Sequence, residues 1–191
     1  MKAQPEPLPK DATLIIIDVQ KGFDDPSWGR RNNPQAESNI ARLLDAWRKT
    51  GRPLFHIQHR SRMPGSVLGP DSPGFEFKNA AKPHSGELVI QKNVNSAFIG
   101  TDLEARLRQN GLKTLVFAGL TTDHCVSTTA RMAGNLGFEA YVVSDATATF
   151  DRVGPDGKHY GAEEVHAISL ASLHEEFATV VDTEGLLKRL K

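Results

Sequence analysis

Residues 113–137 read KTLVFAGLTTDHCVSTTARMAGNLG, in which a short polar turn joins a predicted strand to a predicted helix. Residues 114–118 form a β-branched and aromatic run that ends at Gly119, which predicts a buried strand. Residues 126–136, closed by Gly137, predict a helix. Cys125, the only cysteine, therefore lies at or near a helix N-terminus, at the carboxyl end of a strand.

The turn between these two elements gives Cys125 two possible roles. Thr121, Thr122 and Asp123 can each cap the helix. Helix amides and the positive end of the helix dipole lower the pKa of a thiol, so we expect Cys125 to be more thiolate-like than a free cysteine. A lone cysteine is also commonly a small buried hydrophobe. The position thus predicts either a reactive thiol or a packing residue.

The remaining sequence alternates strand and helix patterns. Further strands are predicted in the run 13–20, whose apolar part ends on the carboxylate of Asp18, and at 53–58, 87–91, 138–143 and 179–181. Helices are predicted at 34–51, 101–110, 163–174 and from 183 onward. This alternation, without internal repeats, predicts an α/β fold with three layers: a doubly wound, Rossmann-like, mostly parallel sheet of about six strands. The length of 191 residues suits a single domain over residues 1–191.

One segment, residues 60–86, lacks periodicity and contains four prolines and four glycines. Irregular loops of this length are uncommon in compact domains and are usually functional. We therefore expect a lid or a binding loop there.

Composition excludes several classes of partner. Acidic and basic residues number 23 each and the pI is about 7.1, so the charge balance does not favour nucleic acid or an anionic membrane. A single cysteine excludes an internal disulfide, and the proline-broken, polar N-terminal segment lacks a signal core. The longest apolar run, residues 14–17, is too short to span a bilayer. We expect a cytoplasmic protein whose partners are a small-molecule substrate and other copies of itself.

Three polar residues follow three of the predicted strands: Asp18, Lys92 and Cys125. Parallel strands end at one edge of a sheet, so these side chains can converge. Individually, an Asp after a strand is commonly a helix cap, and a Lys there is commonly a surface charge. Together they form the minimum set for thiol-mediated hydrolysis: a nucleophile, a carboxylate to take its proton, and a cation to fix that carboxylate.

Four sequence blocks strengthen this interpretation. They read LIIIDVQKGF at 14–23, VIQKNVNSAFIGTDL at 89–103, AGLTTDHCVSTTA at 118–130 and VSDA at 143–146. In this order they resemble the isochorismatase-like cysteine hydrolases, a family that includes nicotinamidase, N-carbamoylsarcosine amidase and streptothricin hydrolase. The resemblance covers most of the chain.

The resemblance implies a role for each residue of the set. Asp18 would be the general base, Lys92 its partner and Cys125 the nucleophile. It also implies a cis peptide between Leu120 and Thr121, with the amides of Thr121 and Cys125 forming an oxyanion hole. The implied reaction is cleavage of an amide-type C–N bond through a thioester, in a homodimer or homotetramer.

The family also offers a metal-dependent branch. Nicotinamidases hold a divalent ion through an Asp-x-His pair and further histidines near the second strand, whereas residues 55–60 here read FHIQHR, with no Asp before either His. Strand alternation puts His56 and Gln58 on one face and His59 on the other. We therefore expect no metal and no cofactor, with His84 a solvated loop residue and His124 a residue that shapes the turn.

Other functions are also possible. Isochorismatases cleave a vinyl ether and often lack the cysteine, so its presence favours acyl chemistry; a catalytically silent member that acts by binding is a further alternative. Within 1–191 there is no Gly-x-Gly-x-x-Gly after a strand and no Gly-x-Ser-x-Gly elbow, and residues 154–158 lack the spacing of a phosphate loop.

Four residues are candidates for substrate contact. Gln20 either orients Asp18 or bonds the substrate, and Asn95 borders the predicted pocket. Phe23 and Trp28 either stack on the substrate or pack beneath a loop. These contacts do not name the substrate, because amides, ureas and lactams all suit the same three-residue set.

Overall fold

A computed structural model describes residues 6–190. The strands are β1 (Thr13–Ile17), β2 (Leu54–His59), β3 (Leu88–Lys92), β4 (Thr114–Leu120), β5 (Glu139–Ala148), β6 (Arg152–Val153), β7 (His159–Tyr160) and β8 (Thr179–Val181). The helices are α1 (Ala36–Thr50), α2 (Leu103–Gln109), α3 (Ser127–Asn135), α4 (Ala162–Leu173) and α5 (Thr183–Leu187). Within residues 6–190, no helix combines the length and apolar character needed to cross a membrane.

Six strands form one parallel sheet in the order β3-β2-β1-β4-β5-β8. The chain builds one half of the sheet outward from β1 and the other half outward from β4, so the winding reverses between these neighbours. The doubly wound α/β prediction is confirmed. In such sheets, ligands bind in the crevice where the winding reverses, beyond the carboxyl ends of the strands.

Strand β1 shows why both faces of the sheet are covered. Ile15 and Ile17 face the core that contains α2 and α3, whereas Leu14 and Ile16 face the core that contains α1. All four side chains are fully buried, as a continuous apolar run in a parallel sheet predicts. The sheet therefore forms the middle layer of three and gives a rigid base to the loops at its carboxyl edge.

Strand β5 is longer than the sequence predicts. It continues through Ala148 with a shift in register, such that Phe117 of β4 pairs with Val142 and Gly119 pairs with Thr147. The predicted end at residue 143 was wrong because Asp145, which looks like a loop residue, accepts hydrogen bonds from Thr183. A partner distant in sequence thus satisfies a polar side chain inside the strand.

The expected long loop is present between β2 and β3. It contains two short 3₁₀ turns, Pro73–Phe75 and Asn79–Ala81. The carbonyl of Phe75 accepts hydrogen bonds from the side chains of Gln20 and Gln58, which fasten this part of the loop to the sheet. These bonds anchor the Phe75 segment to the sheet, and the role of residues 60–86 as a lid or a binding loop stays a prediction.

Candidate active site

Asp18, Lys92 and Cys125 meet where the winding of the sheet reverses. Lys92 Nζ donates to Asp18 Oδ2 at 2.6 Å and to Cys125 Sγ at 3.3 Å. The side chains of Asp18 and Lys92 are completely buried, and Cys125 is 8% exposed. The predicted convergence of these three groups at the ends of their strands is therefore confirmed.

A fourth side chain, His59, completes this group. Its Nδ1 lies 3.1 Å from Lys92 Nζ, and polar atoms of Asp18, His59 and Cys125 lie within 4.8 Å of one another. We refer to Asp18, His59, Lys92 and Cys125 as the Lys92 cluster. The sequence interpretation missed His59, although it ends β2 just as Lys92 ends β3, and the two residues pair in register.

The protonation of His59 follows from its surroundings. Burial lowers the pKa of the imidazole and the Lys92 ammonium lowers it further, while Asp18 acts in the opposite direction. The ring is therefore neutral at neutral pH, and Nδ1 accepts the proton that Lys92 donates. The second ring nitrogen then carries the hydrogen.

Asp18 has one carboxylate oxygen available for chemistry. Its Oδ2 accepts from Lys92, whereas Oδ1 is buried and has no hydrogen-bond partner within residues 6–190. The backbone holds this carboxylate in place, because the Asp18 amide donates to the Ile57 carbonyl at 3.0 Å and the residue adopts a left-handed φ of 52°. An unpartnered buried oxygen beside a thiol is well suited to accept a proton.

Cys125 lies in a π-helical turn, Thr122–Val126, which leads into α3. In the described part of the chain, Thr121 at the cap position of this turn and Val126 at that of α3 make no side-chain cap bond, so the capping prediction was wrong. The Thr122 hydroxyl lies instead 2.8 Å from His166 Nδ1 of α4, and Asp123 accepts from Thr149 and Arg152. Side chains from α4 and β5–β6 thus position the turn from outside.

The protonation expected for Cys125 is also corrected. Burial raises the pKa of the thiol, the Asp18 carboxylate raises it further, and the Lys92 ammonium only partly opposes this. The helix effect anticipated from the sequence is therefore outweighed by loss of water and by a neighbouring negative charge. Sulfur is a thiol at rest, so it needs a base at the moment it reacts.

The backbone before Cys125 follows the family pattern. The peptide bond between Leu120 and Thr121 is cis, as the resemblance implies. Thr121 is buried, and its hydroxyl has no hydrogen-bond partner within the described residues. The oxyanion-hole role of the Thr121 and Cys125 amides stays a prediction.

Gln20 is committed to the protein's own backbone. Its amide nitrogen donates to the carbonyls of His59 and Phe75, each at 3.0 Å, and its oxygen accepts from the His59 amide at 2.8 Å. The side chain is completely buried. Both of its side-chain N–H groups fasten the end of β2 to the loop, which argues against a contact with substrate. The Gln20 backbone amide donates to the Asp18 carbonyl at 2.8 Å, and the alternative that Gln20 orients Asp18 stays a prediction.

The aromatic candidates pack beneath a loop. Phe23 is buried and its ring centroid lies 5.0 Å from that of Trp28, and both rings contact Phe150. The Trp28 indole nitrogen donates to the Gly22 carbonyl at 2.9 Å. These contacts favour the packing alternative for Phe23 and Trp28 over stacking on substrate.

Asn95 is the predicted substrate contact that the structure brings to the cluster. Its Oδ1 lies 4.0 Å from Cys125 Sγ, and its side chain is exposed. A polar amide that reaches both sulfur and solvent can meet a bound molecule. Its role in binding stays a prediction.

The residues present do not fit the metal site of nicotinamidases. The His56 imidazole is completely buried on the opposite face of β2, with Nε2 2.9 Å from Glu87, so it cannot share an ion with His59. Asp18, His59 and Cys125 do offer three metal-ligating atoms, but the Lys92 ammonium contacts all three. The Lys92 ammonium thus already supplies the positive charge that these three groups would offer to a metal ion.

Comparison with known proteins adds a family to this geometry. The isochorismatase domain model matches residues 12–185. The uncharacterized isochorismatase family protein YrdC of Bacillus subtilis is 52% identical, over 91% of this chain and 93% of the relative. A putative isochorismatase-family hydrolase from Chromobacterium violaceum superposes with a TM-score of 0.93 at 48% identity, over 97% of each chain. Ureidoacrylate amidohydrolase RutB of Methylobacterium radiotolerans is 28% identical, over 95% of this chain and 81% of the relative.

Proposed function

Because this chain belongs to the isochorismatase family of hydrolases, we propose that it cleaves an amide-type C–N bond of a small molecule, with Cys125 as nucleophile. The observation that carries the proposal is the Lys92 cluster. One buried ammonium contacts both the carboxylate and the sulfur, at 2.6 and 3.3 Å, and the second carboxylate oxygen has no hydrogen-bond partner among residues 6–190. Such an arrangement supplies a nucleophile, its base and a fixed cation in one place.

Acylation begins with a proton transfer that the raised pKa of Cys125 makes necessary. Asp18 takes the thiol proton as sulfur attacks the amide carbonyl, which forms a C–S bond and a tetrahedral oxyanion. The Thr121 and Cys125 amides stabilise that oxyanion. Asp18 then donates the proton to the nitrogen, the C–N bond breaks and the amine leaves.

In deacylation, the Asp18 carboxylate again acts first as a base and then as an acid. Asp18 takes a proton from water as the water oxygen attacks the thioester carbonyl. The C–S bond breaks, the acid product forms and Asp18 returns the proton to sulfur. Throughout both steps Lys92 holds the carboxylate in place and compensates the charge that develops in this buried site, while His59 accepts from Lys92.

Two considerations favour C–N cleavage over the vinyl-ether alternative. The nucleophilic thiol is in contact with Lys92, which a purely acid-driven ether cleavage does not need. In addition, one relative, RutB, is named as an amidohydrolase. A silent family member that acts by binding alone remains the second alternative, and it would not need an available base beside the thiol.

A product assay tests the proposal. Primary amides, carbamoyl amines and isochorismate are incubated with the enzyme, and ammonia or amine is measured against pyruvate. We expect the wild-type enzyme to release ammonia or amine, and the rate of this release to fall by a factor of about 1,000 or more in Cys125→Ala and in Asp18→Asn. Pyruvate release that survives Cys125→Ala would establish the vinyl-ether reaction instead, and near wild-type amide turnover in both variants would refute the scheme.

A further inference from the structure

Arg60 and Arg62 line a groove of about 530 Å³ within residues 60–72, and Arg60 directly follows His59 of the Lys92 cluster. We propose that these two guanidinium groups bind an acidic group of the substrate, so that the substrate is a small amide that also carries a carboxylate or similar oxyanion. This inference rests on the proposed function, because it specifies which amides reach Cys125.

The groove is connected to the cluster through the ends of β2 and β3. Arg60 follows His59 directly, and its backbone amide donates to the Lys92 carbonyl at 2.7 Å. The Arg62 side chain donates from Nε and Nη2 to the Asn93 amide oxygen at 3.1 and 2.6 Å, in the amide orientation that these partners require. Each arginine is thus tied to a residue at or next to Lys92.

These two cations differ from most other arginines of the chain. Seven arginines form ion pairs with carboxylates: Arg30, Arg31, Arg42, Arg48, Arg106, Arg108 and Arg152. Within residues 6–190, the Arg60 guanidinium has no hydrogen bond or ion pair, and Arg62 bonds only the neutral Asn93 amide. Asp71 also lines the groove, but it forms no ion pair with either arginine in the described part of the chain.

The chemistry of guanidinium explains why an oxyanion is the ligand. Arginine presents N–H donors in a planar fork that matches a carboxylate bidentately, and it keeps its charge at every physiological pH. Arg60 and Arg62 are exposed, so they can meet an arriving anion without first leaving a buried partner. In this proposal, a substrate held there by its acidic group extends its amide from the groove to the Lys92 cluster.

Alkylation of Cys125 tests this inference without a known substrate. Iodoacetate and iodoacetamide differ in one charged group, and Cys125 is the only thiol in the chain. The ratio of their alkylation rates, divided by the same ratio for glutathione, reports how much the protein favours an anion. We expect this normalised ratio to exceed one at low ionic strength and to fall on the order of fivefold in Arg60→Gln/Arg62→Gln.

Further variants and a folding measurement distinguish an effect of the local arginines from an effect of net charge or of altered folding. Arg42→Gln removes one unit of charge from α1, where Arg42 pairs with Glu184, just as the single variant Arg60→Gln removes one from the groove. Arg42→Gln should leave the ratio unchanged. Arg60→Lys keeps the charge and should retain most of the preference. Circular dichroism of each variant confirms that its fold is unaltered.

The outcomes distinguish this inference from the function on which it rests. Alkylation by both reagents with the same normalised ratio in wild type and double variant would overturn the acidic-substrate inference alone. A Cys125 that reacts with neither reagent would overturn the proposed function, and the inference with it. A ratio that falls equally in Arg42→Gln would show a general charge effect and would also overturn the inference.

Discussion

Lys92 has more hydrogen-bond acceptors than protons to give them. Its ammonium carries three N–H donors, while four acceptors lie within 3.3 Å: Asp18 Oδ2, His59 Nδ1, the Val94 carbonyl and Cys125 Sγ. The acceptors must therefore compete. His59 is a competitor of the sulfur for one proton, which makes it a residue that can tune the thiol through Lys92.

Replacing His59 with Leu should release that proton to the sulfur. Three acceptors then remain for three donors, so we expect a small loss of stability, below about 1 kcal/mol from this network. The closer cation favours the thiolate, so the pH profile of Cys125 alkylation by iodoacetamide should move to lower pH. His59→Gln keeps an acceptor and serves as the control; an unchanged profile in His59→Leu would contradict competition for Lys92.

Thr121 gives a second prediction at the scale of one atom. Its buried hydroxyl has no hydrogen-bond partner within residues 6–190, and burying a polar group without a partner lowers the free energy of unfolding. Thr121→Val removes the hydroxyl and keeps the shape, so the free energy of unfolding should rise by about 1 kcal/mol. Urea titration measures this, with Thr121→Ser as the variant that retains the hydroxyl; a clear destabilisation by Val would imply an unseen hydrogen bond.

At the scale of elements, the contact between β1 and β4 places Asp18 beside Cys125. Gly119 makes this contact possible, because it adopts a φ of 130° and a Cβ there would lie 2.0 Å from the Ile17 carbonyl oxygen. Gly119→Ala should therefore force the strands apart and cost more than about 3 kcal/mol. Gly137→Ala, at a φ of 81° with open space around it, should cost about 1 kcal/mol. Denaturant unfolding of both variants compares them, and equal losses would show that the close approach to Ile17 is unimportant.

Element order could be read from the sequence, but the turn at Cys125 could not. Strand and helix patterns depend on residues close together in the chain, so β1 to β4 and α1 were predicted nearly to their observed ends. The π-helical turn depends on His166, Thr149 and Arg152, which lie far along the chain from Thr122 and Asp123. Capping rules use only residues close together in the chain, so they do not include such partners. For the same reason the predicted β5 ended too early.

At the scale of the whole molecule, a charge cluster joins three separate segments. Glu37 of α1 contacts Arg31 in the loop before it and Lys78 in the loop before β3. Burial alone would raise the pKa of Glu37, but hydrogen bonds from Arg31 and Lys78 outweigh it and lower the pKa to about 2. The ionised carboxylate of Glu37 therefore stabilises the folded state more than the protonated form does.

This shift predicts the acid response of the protein. The unfolded state binds the proton of Glu37 first, so the contribution of Glu37 is present above its ordinary pKa of 4.5 and is lost as pH falls toward about 2. Glu37→Gln should lower the free energy of unfolding by about 3 kcal/mol at neutral pH and by little near pH 2. Chemical denaturation at several pH values measures this. Glu184→Gln, which breaks an exposed pair, should change stability by less than about 1 kcal/mol; a Glu37→Gln loss independent of pH would contradict the linkage.

The candidate site was predictable only where strand ends determine it. Asp18, Lys92 and Cys125 follow three parallel strands, so topology alone brings them together. Their protonation depends on burial and on neighbouring charge, and for this reason the thiol pKa moves in the direction opposite to the one expected from the helix. For Gln20 and Phe23 the sequence left two alternatives open, because polarity and aromaticity do not reveal whether a side chain is already paired or packed.

The most direct test of the account is whether Cys125 carries the acyl group during turnover. Two amides that share an acyl group but release different amines are hydrolysed in the presence of hydroxylamine, and hydroxamate and acid products are measured. We predict the same ratio of hydroxamate to acid for both amides, and an acyl adduct on the Cys125 peptide by mass spectrometry. Cys125→Ala should give neither the two products nor the adduct. Product ratios that differ between the two amines, with turnover that persists in Cys125→Ala, would contradict a thioester at Cys125.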